Sequence, residues 1–548
     1  MNPVFAGDSS LNIRQATMLQ TLQQVITIFS EEYAPFEWKV KSEKFDLAAE
    51  AKSARQTIEQ NPNITTPEFQ DVLRNFVLAT RDFHVSIWFY STESASLPFQ
   101  VMGSNGRYFV VAIDRAKMPK ISGSPFDVGT EITEFDGIAI KDAVRALIPE
   151  RFKEPSPPEY RLAEMQLTSR PRELGFKVPN GEIIVTVKNK DGEPTDIPFV
   201  WEYAPENLPV EMPVRNMLSD TAQKENGTPP RLAVSTVKPL NETASYDIGG
   251  RSFVPPLGTV LGTNVNDFFD SYIFRLPKGH VIGYVRIPTF DVDRPAEAAD
   301  VFGNIMTSFE EKTDALVIDL THNGGGSVTY LYGLLSRLAT KPLTTLPQQI
   351  MVSAAMAAES AQRLTIATFV KTDEDAKKIL SPMFPGMAVD FQTFQSVVNN
   401  DRFILSELKQ GRRLTRPTSL IGISRVPPHP NGVYKKPILV LVDELDFSSA
   451  DFFPAILQDN KRAKIFGVRT AGAGGAVKST EFPNQFGVRK LTYTWTIAQR
   501  LDGGPLENVG VTPDIPYSLS VKDLQSGFQE YKEAVVKALE NLLAERQQ

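Results

Sequence analysis

The sequence predicts a multi-domain α/β protein whose largest domain is organised around a mainly parallel β-sheet. Two apolar runs rich in β-branched residues, 315–320 and 437–443, have the pattern of buried strands, and a corner and a helical segment follow each of them. Residues from about 10 to 80 instead have apolar positions at helical spacing, and short alternating runs from about 97 to 205 predict strands. The chain therefore starts with helices, continues with a strand-rich domain and ends with the α/β domain.

The composition of the chain limits its functional class. At 548 residues it is long enough to bury a sizeable core. A net charge of −7 with no run of Lys and Arg does not indicate nucleic-acid binding, and no apolar run approaches the length of a membrane span. The absence of cysteine excludes disulfides, zinc–thiolate sites and thiol catalysis. The first residues lack both a basic and an apolar signal region, so we expect no secretion signal within this sequence.

Changes of pattern along the chain predict four regions. We expect a helical region at 1–96, a strand-rich domain at 97–208, an exposed linker at 209–248 and the α/β domain at 249–548. The linker is expected because its sequence is polar and rich in turn formers. Charged helical sequence at about 350–430 interrupts the core strands and is expected to form a lid over the cleft. The amphipathic C-terminal segment is expected to be a docking helix.

The strand-rich domain contains the segment VGTEITEFDGIAI, which resembles the strand–turn–strand element of PDZ domains. Domains of this kind often bind a peptide by adding it as a strand. The glycine-rich loop that would hold a peptide carboxylate is not evident in the segment. We therefore expect a structural or regulatory role for a PDZ-like domain at 97–208, and peptide binding is the alternative.

The corner after the strand 437–443 places a hydroxyl where it can become a nucleophile. Ser448 and Ser449 lie between this strand and the helical segment ADFFPAIL, and Asp451 completes a capping-box pattern with Ser448. A hydroxyl there faces the free N–H groups and the positive dipole end of the helix, which favour negative charge. An ordinary serine helix cap is the alternative interpretation.

A glycine loop after the other buried strand predicts the second half of such a site. The sequence IDLTHNGGGSV runs from the strand into Gly324, Gly325 and Gly326 and then into a helical segment. Glycines at the end of a strand let the backbone turn sharply and bring N–H groups close to a ligand. A nucleophile and bare backbone donors are together the two halves of an acyl-transfer site.

These motifs in this order resemble the tail-specific, or C-terminal processing, superfamily of serine proteases. The resemblance rests on IDLTHNGGG, LVDELDFSSADFFPAILQDNKRAKIFG, RTAGAGG and LENVGVTPDI, and it covers most of the chain after about residue 245. It implies a ClpP/crotonase-like α/β catalytic core. Most members use a Ser–Lys dyad whose lysine lies in a Gly-Lys-Gly, but this chain has Ala473 at that position. Lys464 and Lys478 flank the position and are expected to be solvated charges.

A serine without the lysine needs another base, and histidine titrates in the suitable range. Of the four histidines, His280 and His429 lie in turn-like sequence and are expected at the surface, whereas His322 lies beside the glycine loop and remains open as a base. His84 lies where a helical segment passes into an alternating strand. On its own residues, His84 could equally be a partly buried structural histidine.

The segment RDFHVSIWFY around His84, together with ELDFS, AGAGG and LENVG, resembles one branch of the superfamily, the secreted chlamydial protease-like activity factor and its relatives. That branch uses a Ser–His–Glu triad. The resemblance implies Ser448 as the nucleophile, His84 as the base and Glu507 as the orienting carboxylate. It also implies self-cleavage within an exposed linker, a homodimeric mature form and a secreted or periplasmic location.

The sequence therefore indicates a bacterial serine endopeptidase that acts on polypeptides. We expect backbone N–H groups of Gly325, Gly326 and Ser449 to form the oxyanion hole, and we expect no metal or organic cofactor. A non-catalytic ligand- or peptide-binding protein on the same fold is the alternative from another class. An acyl-CoA enzyme is less favoured because no nucleotide-binding feature is evident.

Overall fold

The structure is a computed structural model that describes residues 11–118, 125–188, 192–207, 246–250 and 252–545. It is a mixed α/β, multi-domain fold, as the sequence predicts. The linker predicted at 209–248 lies outside the described residues except for its last three residues.

Helices form the N-terminal region, and two short strands follow them. The helices are α1 (Ile13–Glu31), α2 (Phe36–Ser42), α3 (Leu47–Gln60) and α4 (Thr66–Leu78), and the strands are β1 (Ser86–Phe89) and β2 (Ser94–Ser96). The start of α4 follows the sequence signal, because Thr65 and Glu68 form a capping box and Pro67 lies in the first turn. The apolar stripes of α1, α3 and α4 pack together, and Val85, Ile87 and Phe89 extend this core onto β1.

The strand-rich domain is a sheet with two helices. Its elements are β3 (Phe99–Ser104), β4 (Arg107–Ile113), β5 (Glu131–Phe135), β6 (Ile138–Ala139), α5 (Ile140–Arg145), α6 (Pro157–Thr168), β7 (Ser169–Pro171), β8 (Glu182–Lys188), β9 (Pro194–Val200) and β10 (Glu202–Ala204). The sheet has the order β3-β4-β5-β8-β9, with β6 paired to β5. Helix α6 was missed from the sequence, although Ser156 and Glu159 form a capping box at its start.

The C-terminal domain carries the main sheet. Up to the insertion its elements are β11 (Thr259–Val265), β12 (Asp270–Arg275), β13 (Val281–Arg286), α7 (Pro295–Lys312), β14 (Ala315–Asp319), α8 (Val328–Ser336), β15 (Leu343–Thr344) and β16 (Pro347–Ile350). The insertion is mainly helical, with α9 (Ala354–Ala367), α10 (Asp373–Leu380), α11 (Phe391–Lys409), β17 (Thr418–Ser419) and β18 (Arg425–Val426).

The rest of the chain completes this domain. Its elements are β19 (Ile438–Val442), α12 (Ser449–Asp459), β20 (Lys464–Gly467), β21 (Val477–Thr480), β22 (Val488–Thr494), β23 (Thr496–Ala498), β24 (Ile515–Pro516), α13 (Val521–Ser526) and α14 (Gln529–Glu545). Strand β22 pairs antiparallel with β1 and so joins the N-terminal region to the C-terminal domain.

The main sheet has the order β11-β12-β13-β14-β19-β20-β24. The strands from β13 to β24 are parallel, and β11 and β12 are antiparallel additions at one edge. Successive side chains of β14 and β19 point to opposite faces of the sheet. Ile318 and Val440 face the core that contains α7, α8 and α12. Val317 and Leu441 face the core that contains α14. Helix α14 is therefore the docking helix that its amphipathic sequence predicts.

No helix in the described ranges is both long enough and apolar enough to cross a membrane.

Candidate active site

Three loops meet where the parallel strands β14, β19 and β20 end. In an open α/β sheet this edge is where ligands bind. The two predicted halves come together there, because the Phe447 N–H donates to Asn323 O at 3.0 Å and the Ser449 hydroxyl donates to Gly326 O at 2.7 Å. The glycine loop and the serine corner therefore form one hydrogen-bonded unit.

Ser448 has a backbone conformation that few L-residues adopt. It precedes α12 with φ of 58° and ψ of −115°, outside the usual regions for a residue with a side chain. A serine on a sharp strand-to-helix turn of this kind projects its Oγ out of the sheet edge. Ser448 is half-buried, whereas Ser449 is 1% exposed and its hydroxyl is bound to Gly326 O. The geometry favours Ser448 as the reactive hydroxyl.

The carboxylate of Asp451 holds this corner in place. It is fully buried and accepts four hydrogen bonds, from Ser448 N at 2.9 Å, Thr470 Oγ1 at 2.5 Å, Gly472 N at 2.9 Å and Ala473 N at 2.9 Å. Burial raises the pKa of Asp451 to about 6, although the hydrogen bonds oppose this. One side chain thus ties the serine corner to the loop after β20.

Asn323 and Asp446 position the glycine loop. Asp446 Oδ1 accepts the Asn323 N–H at 3.0 Å, and Asn323 Oδ1 accepts the Gly325 N–H at 2.8 Å. Gly325 has φ of 91°, and a Cβ at this position would lie 2.7 Å from Ser448 Cβ, so only glycine fits. The expectation that the Gly325 N–H is part of the oxyanion hole needs correction, because this N–H donates to Asn323 Oδ1. The N–H groups of Gly326 and Ser449 make no backbone hydrogen bond to a described residue.

His322 is a structural residue here. Its Nδ1 lies 2.7 Å from Tyr246 O, its Nε2 lies 3.2 Å from Asp443 Oδ2, and the residue is 3% exposed. Its Nδ1 is engaged by Tyr246 O and its Nε2 faces Asp443, and no hydrogen bond joins this histidine to Ser448 among the described residues. His280 and His429 are partly exposed and have local contacts, to Asp314 and to the Asn431 N–H respectively.

His84 lies in the loop between α4 and β1, next to the serine corner. Phe83 and Phe447, which precede His84 and Ser448, pack edge to face with ring centroids 5.3 Å apart. Both ring nitrogens of His84 are buried and have no hydrogen-bond partner in the described part of the chain. Burial lowers the pKa of His84 to about 4, with a further lowering by the charge of Lys39 and an opposing effect of Asp82. Such an imidazole is neutral at pH 7, as a base must be.

Glu507 is brought to the same place by the loop after β23. It is 1% exposed, its Oε2 accepts the Gly474 N–H at 2.8 Å, and its Oε1 lies 2.5 Å from Lys39 Nζ. A Cβ on Gly474 would lie 2.2 Å from Glu507 N, so the close approach requires glycine. Burial, with a smaller contribution from Asp82, raises the pKa of Glu507 to about 7. No direct hydrogen bond joins Glu507 to the His84 ring in the described residues.

Two residues that the sequence did not point to complete this cluster. Lys39 donates to Arg81 O at 3.1 Å as well as to Glu507, and Asp82 accepts the His84 N–H at 2.9 Å. Asp82 is two residues from His84 in the same motif, and that proximity was an available signal. Nothing in the local sequence of α2 distinguishes Lys39 from a surface lysine.

The position of the missing dyad lysine is apolar. Ala473 is fully buried and packs with Leu445, Phe447 and Ile248. Lys464 is exposed at the start of β20, and Lys478 lies over the Trp495 ring at 4.9 Å. Neither makes a hydrogen bond to Ser448 in the part of the chain that the structure describes.

The PDZ-like domain reaches the site through α6. The buried Arg161 pairs with Glu164 of the same helix, and its guanidinium also lies 2.7 Å from Glu444, which follows β19. Leu162 and Met165 pack against the apolar cluster of Phe447 and Ala473. This domain therefore contacts the loop that carries the serine.

No group of three or more metal-ligating side chains is found in the described ranges.

Two family profiles match the sequence. Peptidase family S41 matches residues 281–517, and the PDZ domain matches residues 93–212. The second range overlaps the strand-rich domain expected at 97–208.

The relatives extend over nearly the whole chain. An uncharacterized protein of Chlamydia muridarum is 32% identical over 570 residues, which cover 97% of this chain and 92% of that protein. A protein of Chlamydia pneumoniae is 33% identical over 567 residues, which cover 96% and 90%. Among solved structures, mature CPAF is 31% identical with a TM-score of 0.85 and covers 97% of this chain and 99% of its own. Mature CPAF complexed with lactacystin has a TM-score of 0.84 at 31% identity, with coverage of 97% and 100%.

Replacing Asp451 with Asn tests the network that holds the serine corner. The Asn side chain has the same size but presents an NH₂ group to N–H donors, so at least one of four buried hydrogen bonds is lost. We expect a free energy of unfolding about 2–4 kcal/mol lower and a kcat/KM for dye-labelled casein about 10–100-fold lower. Denaturant unfolding and initial rates measure the two effects.

Glu297→Gln is the matched control, because Glu297 is also an acidic residue in the first turn of a helix but is exposed. It should change the free energy of unfolding by less than about 0.5 kcal/mol. Wild-type kcat/KM in Asp451→Asn would contradict the positioning role of Asp451.

Proposed function

Because this chain belongs to peptidase family S41, we propose that it hydrolyses polypeptides through a triad of Ser448, His84 and Glu507. Serine-type endopeptidase activity follows from the family and from the similarity to CPAF over nearly the full length of both chains. This favours an enzyme over a binding protein on the same fold. The triad is the finer proposal, and the observation that carries it is the positive φ of Ser448 against the glycine loop.

Ser448 is the proposed nucleophile. Its Oγ attacks the peptide carbonyl and forms a tetrahedral intermediate whose oxygen carries negative charge. The N–H groups of Gly326 and Ser449 are the proposed donors to that oxygen, because neither donates to a backbone carbonyl of a described residue, whereas the Gly325 N–H donates to Asn323 Oδ1. The positive end of the α12 dipole adds to the stabilisation.

His84 is the proposed general base. It takes the proton of the Ser448 hydroxyl and later gives it to the leaving amine. Two features support the role. Burial lowers the pKa of His84 to about 4, which keeps the imidazole neutral at pH 7, and its two buried ring nitrogens make no hydrogen bond within the described ranges. A buried polar group without a partner is unusual and commonly has a functional reason.

Glu507 is the proposed orienting carboxylate. Its Oε1 accepts from Lys39 and its Oε2 accepts from the Gly474 N–H. Each oxygen has a second lone pair, so each can accept a further hydrogen bond. The ionised form is needed to favour the correct tautomer of His84 and to stabilise the imidazolium. Because no hydrogen bond joins the two groups among the described residues, the contact requires movement of the His84 ring or a bridging water.

The first functional prediction distinguishes the two adjacent serines. Ser448→Ala should lower kcat by about four to six orders of magnitude, because the residues of a triad act as a unit. Ser449→Ala removes only the hydroxyl bound to Gly326 O and keeps the proposed N–H donor, so it should retain activity within about 10-fold. Initial rates with dye-labelled casein measure both. An inactive Ser449→Ala beside an active Ser448→Ala would reverse the assignment.

The second functional prediction concerns pH. The activity should fall as the pH drops through about 7, because Glu507 then takes up a proton, whereas His84 stays neutral down to about pH 4. Glu507→Gln should remove this acid limb from the residual activity. His84→Ala should lower turnover by about three to six orders of magnitude at every pH. A Glu507→Gln variant with the wild-type rate and acid limb would contradict the proposed triad.

Self-processing, a homodimer and a secreted location are further parts of the proposal, and they rest on the resemblance noted in the sequence. The linker concerned, 209–248, lies almost entirely outside the described residues. Incubation of wild-type and Ser448→Ala protein at several concentrations tests the first two parts. We expect two fragments that meet between about residues 210 and 250 in the wild type alone, and light scattering should give a dimeric mass. Active protein that stays uncut and monomeric would contradict both.

A further inference from the structure

The ion cluster beside His84 contains a cation that the proposed reaction does not use. Lys39 is fully buried, and its Nζ lies within hydrogen-bond distance of Arg81 O at 3.1 Å, Glu507 Oε1 at 2.5 Å and Asn508 Oδ1 at 2.5 Å. Three acceptors around one Nζ match the three N–H donors of an ammonium, whereas a neutral amine has two N–H donors and would turn its lone pair towards an oxygen. Lys39 therefore has no free lone pair with which to replace the missing dyad lysine.

The cluster contains a second carboxylate. Asp82 is 6% exposed and accepts hydrogen bonds from Tyr33 Oη at 2.8 Å, Thr494 Oγ1 at 2.8 Å and the His84 N–H at 2.9 Å. With Glu507 and Asp82 ionised and His84 neutral, the net charge of the cluster is about −1. Protonation of His84 makes the cluster neutral overall, and the charge of Asp82 partly opposes the lowering of the His84 pKa by burial.

We propose that Lys39 is a positioning residue of this active site, whose ammonium keeps Glu507 and Asp82 ionised together beside His84. The proposal rests on the triad proposed above. Two buried carboxylates without a cation cannot both stay ionised, and one of them takes up a proton. A protonated Glu507 would neither hold the His84 tautomer nor stabilise the imidazolium. Lys39 thus acts through Glu507 and not on the substrate.

The other elements around the cluster supply no second cation to Glu507. Helix α1 leads into Tyr33, whose burial raises its pKa well above the ordinary value. The guanidinium of Arg81 instead forms ion pairs with Glu159 at 2.8 Å and with Glu43 at 3.4 Å. Thr494 and Asn508 are uncharged. Among the described residues, Lys39 alone makes an ion pair with Glu507.

The pH dependence of kcat/KM separates this role from simple packing. Lys39→Gln removes the charge but keeps an NH₂ group, which can donate to at most two of the three acceptors. The acid limb should move to higher pH, because loss of the cation raises the pKa of both Glu507 and His84. If the limb moves from about pH 7 to about pH 8 or higher, the ionised fraction of Glu507 at pH 7 falls from about one half to about one tenth or less, so we expect kcat/KM at pH 7 to fall by about 5-fold or more. At pH 9 the rate should return to within about 3-fold of the wild type, with little change in KM.

Two control variants show whether the shift of the acid limb depends on the charge at position 39. Lys41→Gln removes the same charge from an exposed position of α2 and should leave the profile unchanged. Lys39→Arg keeps the charge and should keep the acid limb in its wild-type position. Lys39→Gln with an unshifted limb, or with the same loss at every pH, would overturn the proposal.

A variant outside Lys39 tests the same charge balance if Lys39→Gln does not fold. Asp82→Asn removes one carboxylate, so the acid limb should move to lower pH, and an unmoved limb would overturn the proposal. Ser448→Ala and Glu507→Gln in the same assay test the triad separately. If Glu507→Gln is inactive and Lys39→Gln has the wild-type acid limb, only the proposed role of Lys39 is wrong. If Glu507→Gln is fully active, the proposed triad is wrong.

Discussion

The active site depends on keeping one serine in a backbone conformation that costs free energy. A non-glycine residue at φ of 58° is held against about 1–3 kcal/mol of strain. The buried carboxylate of Asp451 opposes this strain, because it accepts hydrogen bonds from the serine corner and from the loop after β20 at once. Asp446 likewise holds the glycine loop against the serine corner by accepting the Asn323 N–H, and Asn323 accepts the Gly325 N–H within the loop. The serine corner and the glycine loop are therefore held together by the protein's own hydrogen bonds.

The site exists only in the assembled chain. The corner after β19 contributes Ser448, and the loop after β23, a strand outside the main sheet, contributes Glu507. The loop after α4 contributes His84, α2 contributes Lys39, and α6 of the PDZ-like domain pairs Arg161 with Glu444. Movement of α6 would therefore act on the loop that carries the serine. This contact gives a physical basis for the expected regulatory role of the PDZ-like domain, with or without peptide binding.

The parts of the site that depend on short stretches of sequence could be predicted. Strand and helix periodicity predicted β14, β19 and their helices, and the Ser448 corner and the three glycines were recognisable because their function requires special backbone geometry. The Gly325 amide was misjudged, because its bond to Asn323 Oδ1 depends on how the loop closes. Lys39 could not be predicted, since its contact with Glu507 joins residues 468 positions apart. A buried lysine and a surface lysine have the same local sequence signal.

Mapping a covalent adduct tests the central claim most directly. A fluorophosphonate labels a serine that is activated as a nucleophile and ignores one that only caps a helix. After labelling of the wild-type enzyme and proteolytic digestion, mass spectrometry should place the adduct on Ser448, with labelling abolished in His84→Ala. An adduct on another residue, or full peptidase activity in protein that takes up no label, would contradict the assignment of Ser448 as the nucleophile.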